Sequence, residues 1–190
     1  MDQGELLSLL KRVERGEERA EDAYQALRLC PFEDLGYAKV DHHRALRQGI
    51  GEVIYGAGKT QEQILGIAKA LLEKGAQDIL ITRLAAEKAA FLEGKLPFNY
   101  YSLPQIGVAA PRENRPELGC VVVATGGTSD MPVAEEAALT AQVLGNEVVR
   151  LYDVGVAGLH RTLAHLDEIM TASVIIAIAG IYDNFAHTID

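Results

Sequence analysis

The chain has 190 residues, of which 48% are hydrophobic and 24% are charged, a composition typical of a globular protein. Its 18 basic and 27 acidic side chains give a formal net charge of −9, which argues against a nucleic-acid or anionic-membrane surface. The N-terminus lacks the apolar core of a signal peptide, and no apolar stretch is long enough to span a membrane. Cys30 and Cys120 have no zinc or disulfide spacing, so we expect a cytoplasmic protein with reduced thiols.

The first half of the chain predicts a mixture of helices and short strands. Two helices are expected first, one ending at Gly16 and one running from about Glu18 to Leu29. Strands at 36–40 and 52–55 flank a helical turn, and Thr60 caps a helix that ends near Lys74. A strand at 79–82 and a helix at 84–92 follow. Residues 94–118 hold four of the six prolines, which predicts an inter-domain passage with a short strand near Tyr100.

The second half shows a regular alternation of strands and helices. Strands are predicted at 120–125, 147–152 and 173–179, with helices at 131–144 and 159–169 between them. Short connections in a βαβαβ pattern are typical of a parallel sheet with flanking helices. We therefore expect two domains, an N-terminal α+β domain at residues 1–112 and an α/β domain at residues 113–190.

The strongest candidate site follows the strand at 120–125. Gly126 and Gly127 make a tight turn, and Thr128, Ser129 and Asp130 then open a helix with Pro132 in its first turn. Such a junction directs backbone N–H groups and the positive end of a helix dipole at one point, which suits a phosphate or a carboxylate. The alternative is a tight turn with no ligand, in which Ser129 or Asp130 only caps the helix.

A second candidate segment, residues 153–162, follows the next strand. Asp153 has the chemistry to accept hydrogen bonds from ribose hydroxyls, His160 to move a proton near neutral pH, and Arg161 to bind a phosphate or carboxylate. Parallel strands end at the same edge of a sheet, so this segment is expected on the same side as the first turn. The alternative is that His160 and Arg161 are water-exposed residues of a helix start.

Two weaker patterns lie upstream. Residues 56–60 resemble the end of a phosphate-binding P-loop, but Val53 stands where the first glycine belongs, so a structural or substrate-contact role is the main interpretation. Asp41, His42 and His43 are adjacent and diverge in any regular structure, and no third ligand has diagnostic spacing. We therefore assign no metal site.

Taken together, these segments resemble a known family. Residues 124–130 with 132–137, residues 153–161, and the upstream residues 41–60 are similar to the LarB family of nickel-pincer nucleotide biosynthesis. The later part also resembles the PurE family of aminoimidazole ribonucleotide carboxylases, in which a Gly-Ser-x-Ser-Asp turn holds a ribose phosphate and a His-Arg-Thr run supplies a histidine that moves protons. The matching positions here are 127–130 and 160–162.

The resemblance implies a fold and an activity. The fold is a three-layer α/β/α, PurE-like and flavodoxin-like C-terminal domain after a smaller α+β domain. The activity is carboxylation of the pyridinium ring of nicotinic acid adenine dinucleotide and hydrolysis of its phosphoanhydride, giving pyridinium-3,5-biscarboxylic acid mononucleotide and AMP. CO2 or bicarbonate is the co-substrate, no cofactor is tightly bound, and a need for Mg²⁺ stays open. Both resembled families form homo-oligomers, often octamers.

The resemblance also implies roles for individual residues. The catalytic residues are His160, Asp130 and Arg161. The substrate-binding residues are Gly126, Gly127, Thr128, Ser129, Asp130, Asp153, Gly155, Val156, Ala157 and Gly158.

The resemblance ends at Ala179 and Gly180, where the family continues into a Gly-Met-Glu-Gly-Ala-Leu-Pro-type loop and further strands. Residues 181–190 differ from this pattern, which predicts a truncated or frame-shifted C-terminus, an uncovered sheet edge and marginal stability. The family's reactive cysteine lies in that later part and matches neither Cys30 nor Cys120, so no nucleophile is assigned. Two alternatives stay open: a PurE-type carboxylase or mutase, and a non-catalytic nucleotide-binding fragment.

Overall fold

The computed structural model of the protein describes residues 3–28, 32–42, 44, 50–113 and 118–180. Contacts divide the chain into two compact units. The first contains Met1–Asn99 and Gly107–Pro111, and the second contains Tyr100–Ile106 and Arg112–Asp190. Among the described residues, no helix is both long and apolar enough to cross a membrane. Cys30, His43 and residues 181–190 lie outside the described residues.

The first unit begins with two helices, α1 (Gln3–Glu14) and α2 (Ala20–Arg28), which bury Leu9 and Ala23. Next come β1 (Phe32–Asp34) and β2 (Lys39–Asp41), which pair in antiparallel fashion. The expected strand at 36–40 is thus the second arm of a hairpin that turns at Gly36, whose φ of 82° favours glycine.

A four-stranded sheet follows, with its strands in the order β3-β4-β6-β5. They are β3 (Ile54–Tyr55), β4 (Ile79–Thr82), β5 (Phe98–Tyr101) and β6 (Ile106–Ala109). Strand β3 runs parallel to β4, and β4 runs antiparallel to β6. Helices α3 (Gln61–Glu73) and α4 (Ala86–Leu92) follow β3 and β4, and α3 buries Ile64 and Ile67.

The short strand expected near Tyr100 is confirmed as β5, and β6 is a second strand that the sequence did not predict. The proline-rich passage at 94–118 contains two strands of the sheet, and all four residues of β6 are buried. The prolines mark the ends of these strands rather than an absence of structure, because Pro97 precedes β5 and Pro104 lies in the turn before β6.

The second unit is a three-stranded parallel sheet in the order β8-β7-β9. Its elements are β7 (Cys120–Thr125), α5 (Met131–Val143), β8 (Glu147–Leu151), α6 (Leu159–Leu163), α7 (Leu166–Thr171) and β9 (Val174–Ile178). The predicted βαβαβ alternation is confirmed. The single helix expected at 159–169 is wrong, because a turn in which the His165 N–H donates to the Thr162 carbonyl separates α6 from α7.

Helices cover both faces of this sheet. Val121 and Val123 of β7 pack against Ala134 and Ala138 of α5 on one face. On the other face, Val122 and Ala124 pack with Leu151 of β8, with Val154 in the segment after it, and with Ile169 of α7. The chain thus leaves β7 toward one face and β8 toward the opposite face. Adjacent strands whose connections diverge in this way create a crevice at their carboxyl ends, the usual ligand position in open α/β sheets.

Candidate functional site

The turn after β7 is held by the carboxylate of Asp130. Its Oδ2 accepts the N–H of Gly127 at 3.2 Å, and its Oδ1 accepts the N–H of Gly180, beyond the end of β9, at 2.9 Å. The Gly126 N–H donates to the carbonyl of Ile178 at 3.1 Å. Asp130 therefore joins the carboxyl ends of two adjacent strands, and both of its oxygens are occupied by backbone groups.

Two hydroxyls of the same turn are available to a ligand. Thr128 and Ser129 lie exposed in a 3₁₀ turn, Thr128–Asp130, that continues into α5 with Pro132 in its first turn. Within the described part of the chain, neither side chain has a hydrogen-bond partner. The helix start contributes a positive dipole end at the same place, so the turn retains polar donors for an anionic group.

The segment after β8 is held by Thr125 and Thr162, the two polar residues that are buried in the described part of the chain. The Thr125 hydroxyl accepts the N–H of Asp153 at 3.0 Å, and the Thr125 carbonyl accepts the N–H of Val154 at 3.0 Å. The Thr162 hydroxyl donates to the Val154 carbonyl at 2.6 Å. Asp153 itself has a φ of 57°, a left-handed conformation that aspartate tolerates better than most residues.

Arg161 and Asp153 form an ion pair at this edge. The Arg161 guanidinium donates from Nη1 to Oδ2 of Asp153, and the two side chains are 39% and 49% exposed. The guanidinium lies directly over Gly158, where an added Cβ would come within 2.5 Å of Arg161 Nε. The structure thus brings together three of the predicted site residues, Asp153, Arg161 and Gly158.

The remaining predicted residues frame this pair. Gly155 and Gly158 are buried, Ala157 is exposed, and Val156 belongs to a second 3₁₀ turn, Val156–Gly158. His160 is exposed in the first turn of α6, next to Arg161, and no described side chain hydrogen-bonds to its ring. A solvent-facing imidazole of this kind is free to exchange protons with a bound molecule or with water.

A neighbouring network was not predicted from the sequence. The Tyr152 hydroxyl donates to Oε1 of Glu135 at 2.7 Å, and Arg150 Nε donates to both Glu135 oxygens at 3.1 and 3.3 Å. Burial, followed by the hydrogen bond to Glu135, raises the pKa of Tyr152 to about 12. The network attaches α5 to β8 immediately before Asp153. Its only sequence signal is a set of polar residues on the partly buried faces of both elements.

The glycine turn after β3 has a different construction. The Lys88 ammonium of α4 donates to the carbonyls of Gly56 at 2.9 Å, Lys59 at 2.7 Å and Ala57 at 3.4 Å. Lys59 Nζ donates back to the Tyr55 carbonyl at 3.3 Å. The carbonyls of the turn therefore face a cation, and its lysine is directed to its own strand. This geometry does not fit a P-loop, in which backbone N–H groups and the lysine face phosphates.

The upstream histidine region also forms internal contacts. His42 Nε2 lies 3.2 Å from Oε2 of Glu33, and the Asp41 N–H donates to Oε2 of Glu52 at 2.7 Å. Among the residues that the structure describes, no three His, Cys, Asp or Glu side chains are grouped so as to hold a metal ion. Cys120 is a free, partly buried thiol at the start of β7, at the opposite end of that strand from the candidate site.

Comparison with known proteins decides the family. Residues 32–111 match the family model described as the LarB/PurE-like N-terminal domain. An uncharacterized protein of Methanocaldococcus jannaschii is 30% identical over an alignment of 184 positions, which covers 92% of this chain and 72% of that relative. The chain belongs to the LarB/PurE-like family. This membership indicates a carboxylase-related enzyme and confirms the broad family that the motifs predicted.

Proposed function

We propose that the protein is a LarB-type enzyme that carboxylates the pyridinium ring of nicotinic acid adenine dinucleotide. In the same proposal it hydrolyses the phosphoanhydride, giving pyridinium-3,5-biscarboxylic acid mononucleotide and AMP. The observation that carries the proposal is the Asp153–Arg161 pair, which lies with the exposed Thr128 and Ser129 hydroxyls on loops that leave adjacent parallel strands toward opposite faces. Family membership supplies the class of reaction.

Each predicted residue has a role in this proposal. The turn of Gly126, Gly127, Thr128 and Ser129 binds a phosphate through N–H and hydroxyl donors. Asp153 accepts hydrogen bonds from ribose hydroxyls, and Arg161 binds a phosphate or a carboxylate. The backbone of residues 155–158 lines the same edge. Asp130 fixes the turn through its two backbone hydrogen bonds, and a direct catalytic part for it stays a prediction.

His160 is the proposed proton carrier. Carboxylation forms a carbon–carbon bond at the ring and releases the proton that the ring carbon carried, so a base must receive that proton. Hydrolysis adds water across the P–O–P bond and also releases a proton. The His160 imidazole is exposed and has two ring nitrogens that accept or donate a proton, which suits it to both transfers. No nucleophile is assigned, because Cys120 lies at the far end of β7 from these groups.

The proposal extends to co-substrate and assembly. CO2 or bicarbonate supplies the added carboxylate, no cofactor is tightly bound, and the substrate is a small dinucleotide rather than nucleic acid. We also propose that the chain acts as a homo-oligomer in the cytoplasm. In support, β8 and β9 are edge strands of the three-stranded sheet, and Val174 of β9 and Met170 of α7 are 53% and 75% exposed.

The test is direct analysis of products. Purified protein is incubated with nicotinic acid adenine dinucleotide, bicarbonate and Mg²⁺, and mass spectrometry follows AMP and the dicarboxylated mononucleotide. ¹³C-bicarbonate must add one heavy carbon to the mononucleotide and none to AMP. The control omits bicarbonate. Formation of neither product by folded protein contradicts the proposal.

A second function is favoured by one feature, the similarity of residues 127–130 and 160–162 to the PurE pattern. In a PurE-type reaction the substrate is aminoimidazole ribonucleotide, and no phosphoanhydride is cleaved. The same assay with that substrate separates the two functions, because only one of the two substrates is expected to turn over. Binding of a mononucleotide with no product from either substrate favours a non-catalytic module.

A further inference from the structure

The segment that carries Asp153 is held from two sides by the only two residues of the described chain that are both polar and buried, Thr125 and Thr162. Thr125 ends the central strand β7, and Thr162 lies in α6, so their hydroxyls reach the Asp153–Val154 peptide from different elements. A buried hydroxyl without a partner costs free energy, so each threonine is tied to this peptide. Valine, which has the same shape, fills a buried site at no such cost. We therefore interpret the two hydroxyls as hydrogen-bonding partners of the Asp153–Val154 peptide, since packing in the core does not require them.

The geometry of the peptide explains why it needs two partners. Asp153 has a φ of 57°, a conformation that a non-glycine residue adopts only when its surroundings hold it there. The Thr125 hydroxyl and carbonyl accept the N–H groups of Asp153 and Val154, and Thr162 satisfies the Val154 carbonyl. Three hydrogen bonds thus define the direction in which the Asp153 side chain leaves the backbone.

Asp153 in turn defines the position of Arg161. Its carboxylate accepts from Nη1 of Arg161, and the guanidinium lies over Gly158 with no side chain beneath it. Arginine has several rotatable bonds, so an exposed guanidinium without these contacts would sample many positions. The direction of the guanidinium therefore depends on Asp153, which depends on the two threonines.

We propose that Thr125 and Thr162 are positioning residues that act through Asp153 to hold the Arg161 guanidinium ready for the anionic group of the substrate. This inference rests on the proposed function for the identity of the ligand, and on the geometry alone for the positioning of Arg161. Its closest physical analogue is the outer shell of a metal site, where residues that never touch the substrate fix the ligands that do.

The test uses pairs of variants that keep or remove a hydroxyl. Thr125→Val and Thr162→Val remove it, and Thr125→Ser and Thr162→Ser restore it. Thr140→Val is the matched control, because the Thr140 hydroxyl donates to the Glu136 carbonyl within α5 and touches neither loop. Two readouts are taken for each folded variant: the NMR signal of Arg161 Nε–H, assigned through Arg161→Lys, and the affinity for nicotinic acid mononucleotide by calorimetry.

We expect each valine variant to move the Arg161 signal toward that of a free arginine and to weaken binding by about tenfold, the effect of losing one hydrogen bond in an ordered site. The serine variants and Thr140→Val are expected to retain the wild-type signal and an affinity within about twofold. An unchanged Arg161 signal in both folded valine variants would overturn the inference.

A third variant guards against loss of folding. Gly158 has a negative φ of −131°, and the three atoms nearest to an added Cβ all belong to the Arg161 side chain. Gly158→Ala is expected to displace the guanidinium and weaken binding by about tenfold without lowering thermal stability. Unchanged binding in this variant counts against the inference. Failure of the proposed function is read separately, as the absence of products from nicotinic acid adenine dinucleotide, and the Arg161 signal decides whether the threonines position the guanidinium even if wild-type protein binds no mononucleotide.

Discussion

Two glycine turns of the molecule have similar positions in the fold and opposite electrostatics. The turn after β3, residues 56–60, and the turn after β7, residues 126–130, each lead from a parallel strand into a helix. In the first turn, the Lys88 ammonium donates hydrogen bonds to three backbone carbonyls. In the second turn, the Asp130 carboxylate accepts two backbone N–H groups, and the hydroxyls of Thr128 and Ser129 stay exposed.

The difference lies in the residues that reach each turn from elsewhere in the chain. Lys88 is 32 residues from Gly56, and Gly180 is 50 residues from Asp130. In one turn the polar groups hydrogen-bond to other parts of the chain, and in the other two hydroxyls stay exposed for a ligand. The residues of the turn alone do not predict which case applies, because the partners come from distant parts of the chain. The distinction also depends on neighbours, since the second turn follows a strand whose last residue, Thr125, binds the segment of the Asp153–Arg161 ion pair.

The largest expected effect is the loss of the arginine beside the second turn. Arg161→Ala is expected to lower kcat/KM for nicotinic acid adenine dinucleotide by about 100-fold, the effect of removing one preorganised donor to an anionic group. The matched change in the first turn, Lys59→Ala, is expected to alter kcat/KM by less than about twofold, because Lys59 contacts its own strand. Steady-state kinetics measures both. Equal losses in the two variants would remove the distinction between the turns.

The first turn is expected to matter for stability instead. Lys88→Met leaves the carbonyls of Gly56, Ala57 and Lys59 without their charged donor, which is expected to cost about 2 kcal/mol in the free energy of unfolding. Urea unfolding followed by circular dichroism gives this value. Lys59→Met, which removes one exposed hydrogen bond, is the control and is expected to cost less than about 0.5 kcal/mol. A smaller loss for Lys88→Met than for the control would contradict the assignment.

The corresponding change in the second turn is smaller. Asp130→Ala removes the acceptor for the N–H groups of Gly127 and Gly180 and is expected to cost about 1.5 kcal/mol. The loss is reduced because these groups are partly accessible to water. Hydrogen exchange read by NMR should accelerate at both amides and remain unchanged at Gly56, whose N–H donates to the Thr82 carbonyl at 2.7 Å. Unchanged exchange at Gly127 and Gly180 would contradict the bridging role.

The smallest effect concerns the network that precedes Asp153. The pKa of Tyr152 is raised from 10.0 to about 12, so folding favours the protonated phenol. This contribution to stability is complete below pH 10 and is lost as pH rises toward 12. Difference absorbance of tyrosinate between wild type and Tyr152→Phe should show one group that titrates near pH 12. A group that titrates near pH 10 would mean that Glu135 and burial do not perturb the hydroxyl.

Some of the fold was predictable from local sequence. The strands at 79–82 and 120–125 have the predicted bounds, because β-branched and apolar runs end abruptly at polar or glycine residues. Strand β6 was missed because it is short, contains Gly107 and lies among prolines. That glycine is explained only in three dimensions, since an added Cβ would lie 2.4 Å from the Phe98 ring.

The contacts of the site were less predictable than its location. Sequence reasoning identified the loops after β7 and β8, because parallel strands end at one edge. It did not identify Thr125 or Thr162, which look like ordinary strand and helix residues until the hydrogen bonds to Asp153 and Val154 are seen. The break between α6 and α7 was also missed; it lies at Thr162, whose carbonyl accepts the His165 N–H.

The most direct test of the central claim compares the two turns in one experiment. Hydrogen–deuterium exchange is measured with and without nicotinic acid adenine dinucleotide, in the absence of bicarbonate so that the ring is not carboxylated. The account predicts slower exchange in residues 126–130 and 153–162 and no change in residues 56–60. Slower exchange confined to residues 56–60 would place the ligand at the other turn and contradict the account.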